Sequence, residues 1–171
     1  MTTIDELNTM PANDFVARLG GVFESTSWIA RRAAVRRPFA SVADLHAAMC
    51  DEVAGAAMEH KLGLILAHPD LVGRLAREGR LTAESTREQA AAGLTALSNE
   101  EIETFERYNA AYREKFGFPF VICARENRKE TILAAFPVRL NNSREQEVRA
   151  ALAEICKIAR LRLLDLVEDK A

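Results

Sequence analysis

SNEEIETFERYNAAYREKFG, residues 98–117, is the stretch from which the fold class can be read. Ile102, Phe105, Tyr108/Asn109, Tyr112 and Phe116 recur every three or four positions, the spacing of one face of an α-helix. Ser98 stands just before the stripe and Glu101 three positions on. This pair places a hydroxyl and a carboxylate where they can satisfy amides that a helix start would otherwise leave orphaned. Gly117 then supplies a natural stop, because glycine enters the left-handed conformation of a helix C-terminus at low cost.

The same periodicity extends in both directions. From about Ser143 to Val167, the residues Val148, Leu152, Ile155, Ala159, Leu163 and Leu166 form a second long stripe. Shorter helices are predicted near residues 13–19, 25–36, 42–58, 59–67, 83–94 and 128–140, with Ser41-x-x-Asp44 and Asn127-x-x-Glu130 as further start signals. Gly20-Gly21 and Pro38 punctuate the first half. Phe118-Pro119-Phe120-Val121-Ile122-Cys123 departs from the pattern: it reads locally as a buried strand, yet no comparable strand exists to pair with it. An extended, buried connector is expected, with backbone polar groups that need partners. There is no Gly/Ser linker, repeat or low-complexity tract. The expectation is an all-α, single-domain bundle of about eight to ten helices over residues 1–171, long enough to bury roughly 70% of its unfolded surface.

Basic and acidic residues nearly balance, 23 against 25, and are well mixed. Arg31-Arg32 and Arg36-Arg37 are the densest basic pairs and form no recognition helix, which argues against a nucleic-acid partner. No apolar run approaches the ~20 residues needed to span a bilayer. The opening MTTIDELNTM lacks the features of a signal peptide, and the closing Asp169-Lys170-Ala171 is not a peroxisomal address. Cys50, Cys123 and Cys156 are odd in number and far apart among apolar neighbours, so they read as buried free thiols, not a zinc site or a disulfide framework. A cytoplasmic protein is expected, with no metal.

Of three histidines, His46 and His60 sit within amphipathic helices and read as surface or boundary residues. His68 differs because Pro69 follows it. Proline disfavours the α conformation in the preceding residue and suits the first turn of a new helix, so the imidazole is expected at a junction between helices. Ser85 and Glu88, three apart, share one helix face. They read either as a capping box or as a hydroxyl and a carboxylate lining a pocket. Arg160 lies at the edge of the last apolar stripe, whereas Arg162, beside Leu163, can reach inward.

His68-Pro69-Asp70-Leu71 is followed in order by Leu81-Thr82-x-x-Ser85-x-x-Glu88-Gln89-x-x-Ala92-Gly93-Leu94. Phe116-Gly117-Phe118-Pro119-Phe120-Val121 and Glu154-Ile155-x-Lys157-Ile158-Ala159-x-Leu161-Arg162-Leu163 come next. Together these motifs closely resemble the OHCU decarboxylase family over nearly the whole chain, from about Asp14 to Val167. The family acts on 2-oxo-4-hydroxy-4-carboxy-5-ureidoimidazoline (OHCU) in uric acid degradation.

The resemblance implies conversion of that small molecule to (S)-allantoin, with no cofactor and in a homodimer. It implies catalytic roles for His68 and Glu88. It further implies substrate contacts by Pro69, Ser85 and Arg162, and by the backbone of Phe120, Val121 and Ile122. The chemistry is consistent with this. The carbon that loses CO2 neighbours a ring C=N bond able to take the released electrons, and a histidine titrating near neutrality suits proton transfer. The competing reading is a non-catalytic helical module for small molecules or proteins, with His68 and Glu88 as structural caps.

Overall fold

The computed structural model describes residues 1–169; for Leu75 and Arg77 it describes the backbone alone, and Lys170 and Ala171 of the closing tripeptide lie outside the described residues. The helices are α1 (Ile4–Thr9), α2 (Ala12–Leu19), α3 (Ser27–Ala33), α4 (Val42–Ala54), α5 (Met58–Leu66), α6 (Arg74–Arg77), α7 (Ala83–Ala91), α8 (Asn99–Phe116), α9 (Lys129–Leu140) and α10 (Arg144–Leu166). Single 3-10 turns follow α3 and precede α9. The all-α expectation is met, and no described helix is long and apolar enough to cross a membrane. Helices α1 and α6 are too short for a periodic signal to reveal. A parallel pair of two-residue strands, β1 (Thr2–Thr3) and β2 (Val167–Glu168), was not expected either.

The backbone divides into two compact units, Met1–Ala67 with the chain from Cys156 onward, and His68–Ile155. In the first, α3 packs on α2 and α4. Phe15, Leu19, Phe23, Ile29, Leu45 and Met49 are among its buried side chains. Asn8 and Phe39 exchange two hydrogen bonds, Nδ2 to O at 2.9 Å and N to Oδ1 at 2.8 Å. Ser41 caps α4 by accepting from the Asp44 amide at 3.1 Å.

The second unit is built around α8. Phe105, Tyr112 and Phe116 are wholly buried on the face that the sequence marked. Ser98 and Glu101 form the expected reciprocal cap, and Gly117 ends the helix at φ 79°. Phe118–Cys123 is extended and almost entirely buried, with no strand beside it, as expected. Phe118 and Phe120 meet Tyr112 edge-on, and Phe120 stacks on Phe136 at 3.9 Å between ring centroids.

The connector's polar backbone atoms are served by side chains. Arg139 Nη1 donates to Val121 O at 2.5 Å and Glu154 Oε2 accepts from the Cys123 amide at 2.8 Å. Arg139 itself lies over the Phe120 ring and donates from Nε to Glu147 Oε2 at 2.8 Å. Glu147 is fully buried and also accepts from the Tyr112 hydroxyl and from Asn142 Nδ2. Burial and this carboxylate push the Tyr112 hydroxyl up, so it remains a donor.

Two expectations from the sequence fail here, one start signal and the burial of the thiols. Asn127 does not cap α9; Arg128 occupies that position with no side-chain bond, while Asn127 Nδ2 turns back to Cys123 O at 2.9 Å. The end of the buried connector captures the amide before the helix can use it. Nor are all three thiols buried. Only Cys123 is; Cys50 and Cys156 are half-buried.

Breaking a buried ion pair from one side costs more than removing both partners. Arg139→Met is therefore expected to lower unfolding stability by about 3–5 kcal/mol in urea titration, and adding Glu147→Leu to recover part of that loss. A single-variant loss below about 1 kcal/mol would show that this pair does not hold the connector.

Candidate active site

His68 follows the last turn of α5 and belongs to an irregular loop that runs to Gly73. The expected break at Pro69 is present, but Pro69 does not open a helix. The next one starts only at Arg74, because residues 70–73 form a turn in which the Gly73 amide donates to Asp70 O at 3.3 Å. A side chain at Gly73 would press its Cβ to 2.7 Å from the Asp70 Cβ, so the turn requires glycine.

Three side chains tie this loop down. Gln89 of α7 accepts from the Val72 amide at 3.1 Å and donates to Asp70 O at 3.5 Å. Asn109 of α8 donates to Leu71 O at 2.8 Å, and Arg113 donates from Nε to both carboxylate oxygens of Asp70 at 3.0 Å. The anchoring holds Val72 at φ 54°, a left-handed conformation costly for a β-branched residue, on the order of 1–3 kcal/mol. Such strain persists only where the surroundings overdetermine it.

Helix α7 carries the second group. Thr82 is its cap, accepting from the Ser85 amide at 3.2 Å. Ser85 therefore stands in the first turn and Glu88 in the second, and the capping-box reading of Ser85 and Glu88 fails. Both point inward: Ser85 is 5% exposed, Glu88 9% and His68 6%. Burying a hydroxyl, a carboxyl and an imidazole within one unit is costly unless each is used. Gln89, adjacent to Glu88, links this helix to the His68 loop.

The connector is the third component. The 3-10 turn Ala124–Glu126 packs against α7. Burial pushes the Cys123 thiol up to about 11, helped by the nearby carboxylates of Glu126, Glu154 and Glu88. That electrostatic coupling places Glu88 in the neighbourhood of the connector's end. Phe120 and Val121 are buried and Ile122 is half-buried, whereas Pro69 is half-buried in the His68 loop. Thus the 68–73 loop, α7 and the 120–123 connector come together in the second unit. Beside them lies a cavity of about 280 Å³, lined by Val72, Gln89, Thr86, Leu94, Leu97 and Ile102 among others.

Arg162 belongs to the first unit. It is 4% exposed, pairs with Glu24 at 2.8 Å and donates to Gly21 O at 3.3 Å, while Arg160 is exposed. The inward reading of Arg162 and the outward reading of Arg160 both hold. His46 is half-buried. His60 is exposed and meets Trp28 edge-on at 5.4 Å. Among the described residues no group of three or more His, Cys, Asp and Glu side chains could hold a metal ion.

Sequence reasoning missed the anchoring role of Gln89, Asn109 and Arg113. Asn109 falls on the apolar face of α8, and a polar residue in that stripe was the available signal. Replacing Gln89 by Leu leaves the buried Val72 amide without its acceptor. We expect a stability loss of about 1–3 kcal/mol and faster hydrogen exchange at Val72. Thr82→Ala is expected to lose about 1 kcal/mol through the cap alone, with Val72 exchange unchanged.

A family model described as OHCU decarboxylase matches residues 8–164. The chain is 41% identical over 166 residues to the 2-oxo-4-hydroxy-4-carboxy-5-ureidoimidazoline decarboxylase of Amia calva, covering 97% of this chain and 95% of that protein. It is 42% identical over 170 residues to the uric acid degradation bifunctional protein PucL of Bacillus subtilis (strain 168), covering 99% of this chain but only 34% of that longer protein. Among solved structures, an (S)-allantoin synthase superposes with a TM-score of 0.78 at 30% identity, over 98% of this chain and 54% of the other. The fold of an OHCU decarboxylase crystallised in the presence of (S)-allantoin also matches, with a TM-score of 0.70 at 24% identity over 85% of this chain and 94% of that one. On this evidence the chain belongs to the OHCU decarboxylase family, a family of decarboxylating lyases.

Proposed function

We propose that the protein decarboxylates OHCU to (S)-allantoin without a cofactor, with His68 moving the proton. The observation that carries this reading is the burial of His68, Ser85 and Glu88 in one unit, with the His68 loop tied to α7 through Gln89. The relatives named for this reaction support the choice of substrate.

The substrate carries a hydroxyl and a carboxylate on a carbon next to a ring C=N bond. If the carboxylate is held out of the ring plane, the breaking C–C bond overlaps the imine. Electrons then pass into the ring, and no bound electron sink is required. A proton must afterwards reach one face of the neighbouring carbon, which fixes the S configuration. A positioned imidazole contributes about 10²- to 10⁴-fold to such a transfer.

Glu88 either orients the imidazole or holds the substrate hydroxyl or ureido N–H. Ser85, Pro69 and the Phe120–Ile122 backbone recognise the remaining polar edge of the ring. For Arg162 we favour a ureido or ring carbonyl oxygen as the partner. A tight grip on the departing carboxylate would stabilise the ground state and slow the reaction. Family likeness further suggests a cytoplasmic homodimer in which residues 1–171 act as one catalytic domain.

The test generates OHCU in situ from urate and follows the optical rotation of the allantoin formed. His68→Asn is expected to abolish the stereospecific product while keeping the helical circular dichroism spectrum; wild-type turnover by this variant removes His68 from the mechanism. Glu88→Gln is expected to fold and to turn over at least tenfold more slowly. Undiminished kcat would reduce Glu88 to a structural role.

A further inference from the structure

The loop between α2 and α3, residues 20–26, is built around a buried ion pair. Arg162 and Glu24 are each 4% exposed at their side chains, with Nη2 and Oε2 2.8 Å apart. The same guanidinium donates from Nη1 to Gly21 O at 3.3 Å. Two contacts from one loop thus fix the plane of a group whose donors form a rigid fork. The loop in turn is held to one shape. Val22 and Phe23 are sunk in the core of the first unit, the Thr26 amide donates to Phe23 O at 2.8 Å, and Thr26 Oγ1 donates to Glu24 O at 2.7 Å. Ser25, between them, sits at φ 48°, a left-handed torsion that a serine keeps only where its surroundings overdetermine it. On α10, Arg162 lies beside Leu163 and close to Ala159, both wholly buried. An apolar pair of similar volume would hold α10 to this loop about as well, because desolvating two charges offsets most of their attraction. Stability alone does not call for this pair.

We infer that Glu24 is a positioning residue for the decarboxylation, acting on the substrate only through Arg162. The inference rests on the proposed contact between Arg162 and substrate. The Glu24 carboxylate does two things there. It sets the plane in which the guanidinium fork meets a carbonyl oxygen of the substrate. It also offsets the positive charge, so that Arg162 offers directed N–H groups without drawing the substrate carboxylate into a strong ground-state ion pair. The carboxylate leaves as neutral CO2, and a cation that held it would lose that attraction as the C–C bond breaks. An uncompensated Arg162 would therefore bind the substrate as well or better and turn it over more slowly. Removing the charge of Glu24 should depress kcat and spare KM.

The test applies the optical-rotation assay to the full-length protein, with OHCU generated from urate. Glu24→Gln keeps the size and an acceptor for Nη2 but removes the charge. It should lower kcat at least tenfold and leave KM unchanged or lower. Glu24→Asp, which restores the carboxylate, should recover part of that kcat. On an Arg162→Gln background, adding Glu24→Gln should change kcat less than about threefold, because no guanidinium remains to be positioned. A raised KM with wild-type kcat would overturn the inference. So would equal fold losses on the two backgrounds, which would mark Glu24 as purely structural. A second measurement stands even if no variant folds: nitrogen-15 NMR of the wild-type protein should resolve the Arg162 Nη hydrogens as slowly rotating. Signals averaged by free rotation would overturn the clamp. Absence of OHCU turnover by the wild type removes the inference together with the reading it rests on; resolved Nη signals beside that result would show that the reaction, not the clamp, was wrong.

Discussion

A helical protein that buries non-helical backbone must find partners for every exposed amide and carbonyl along it, and that demand organises the second unit. The 68–73 loop and the 118–123 connector have no neighbouring strand, so side chains take the place of a ladder. Gln89 and Asn109 serve one, with Arg113 holding its Asp70 carboxylate; Arg139, Glu154 and Asn127 serve the other. Those anchors need support of their own. Arg139 is held by Glu147 beneath the aromatic layer, and Gln89 and Asn109 project from helices whose starts are capped by Thr82 and Ser98.

This arrangement gives the polar groups of the site their fixed geometry. A histidine, a serine and a glutamate can stay buried only when the surrounding backbone is rigid enough to keep their hydrogen-bonding groups aligned. Irregular segments offer what helices lack: backbone polar atoms that point sideways. Phe120–Ile122 illustrates the division of labour. Phe120 is sunk into the aromatic core, Val121 gives its carbonyl to Arg139, and Ile122 stays partly open.

Much of this was legible in the chain itself. The apolar stripes of α8 and α10 exceed any local competing signal, and Gly117 and the Ser98–Glu101 pair mark the ends of α8 without ambiguity. The unpaired character of Phe118–Cys123 followed from the lack of a second strand. What could not be read was which of several chemically equivalent partners each group takes. Asn127 offers the same local chemistry as Ser98, yet Cys123 O captures its side chain. Ser85-x-x-Glu88 has the spelling of a capping box, but Thr82 starts the helix three residues earlier and turns both side chains inward. The partners of Gln89 and Arg139 lie far away in sequence, where no periodicity points.

Val72 shows what such a scaffold implies for change over time. Its left-handed torsion is kept by the hydrogen bond that its backbone amide donates to Gln89 Oε1, on a residue that sits next to a proposed catalytic carboxyl group. The position of the imidazole proposed to move the proton thus depends on a loop held by an atom pair that need never meet the ring being processed. Mutational tolerance at 72 and 89 should be linked: neither position can drift alone without loosening the segment that both share.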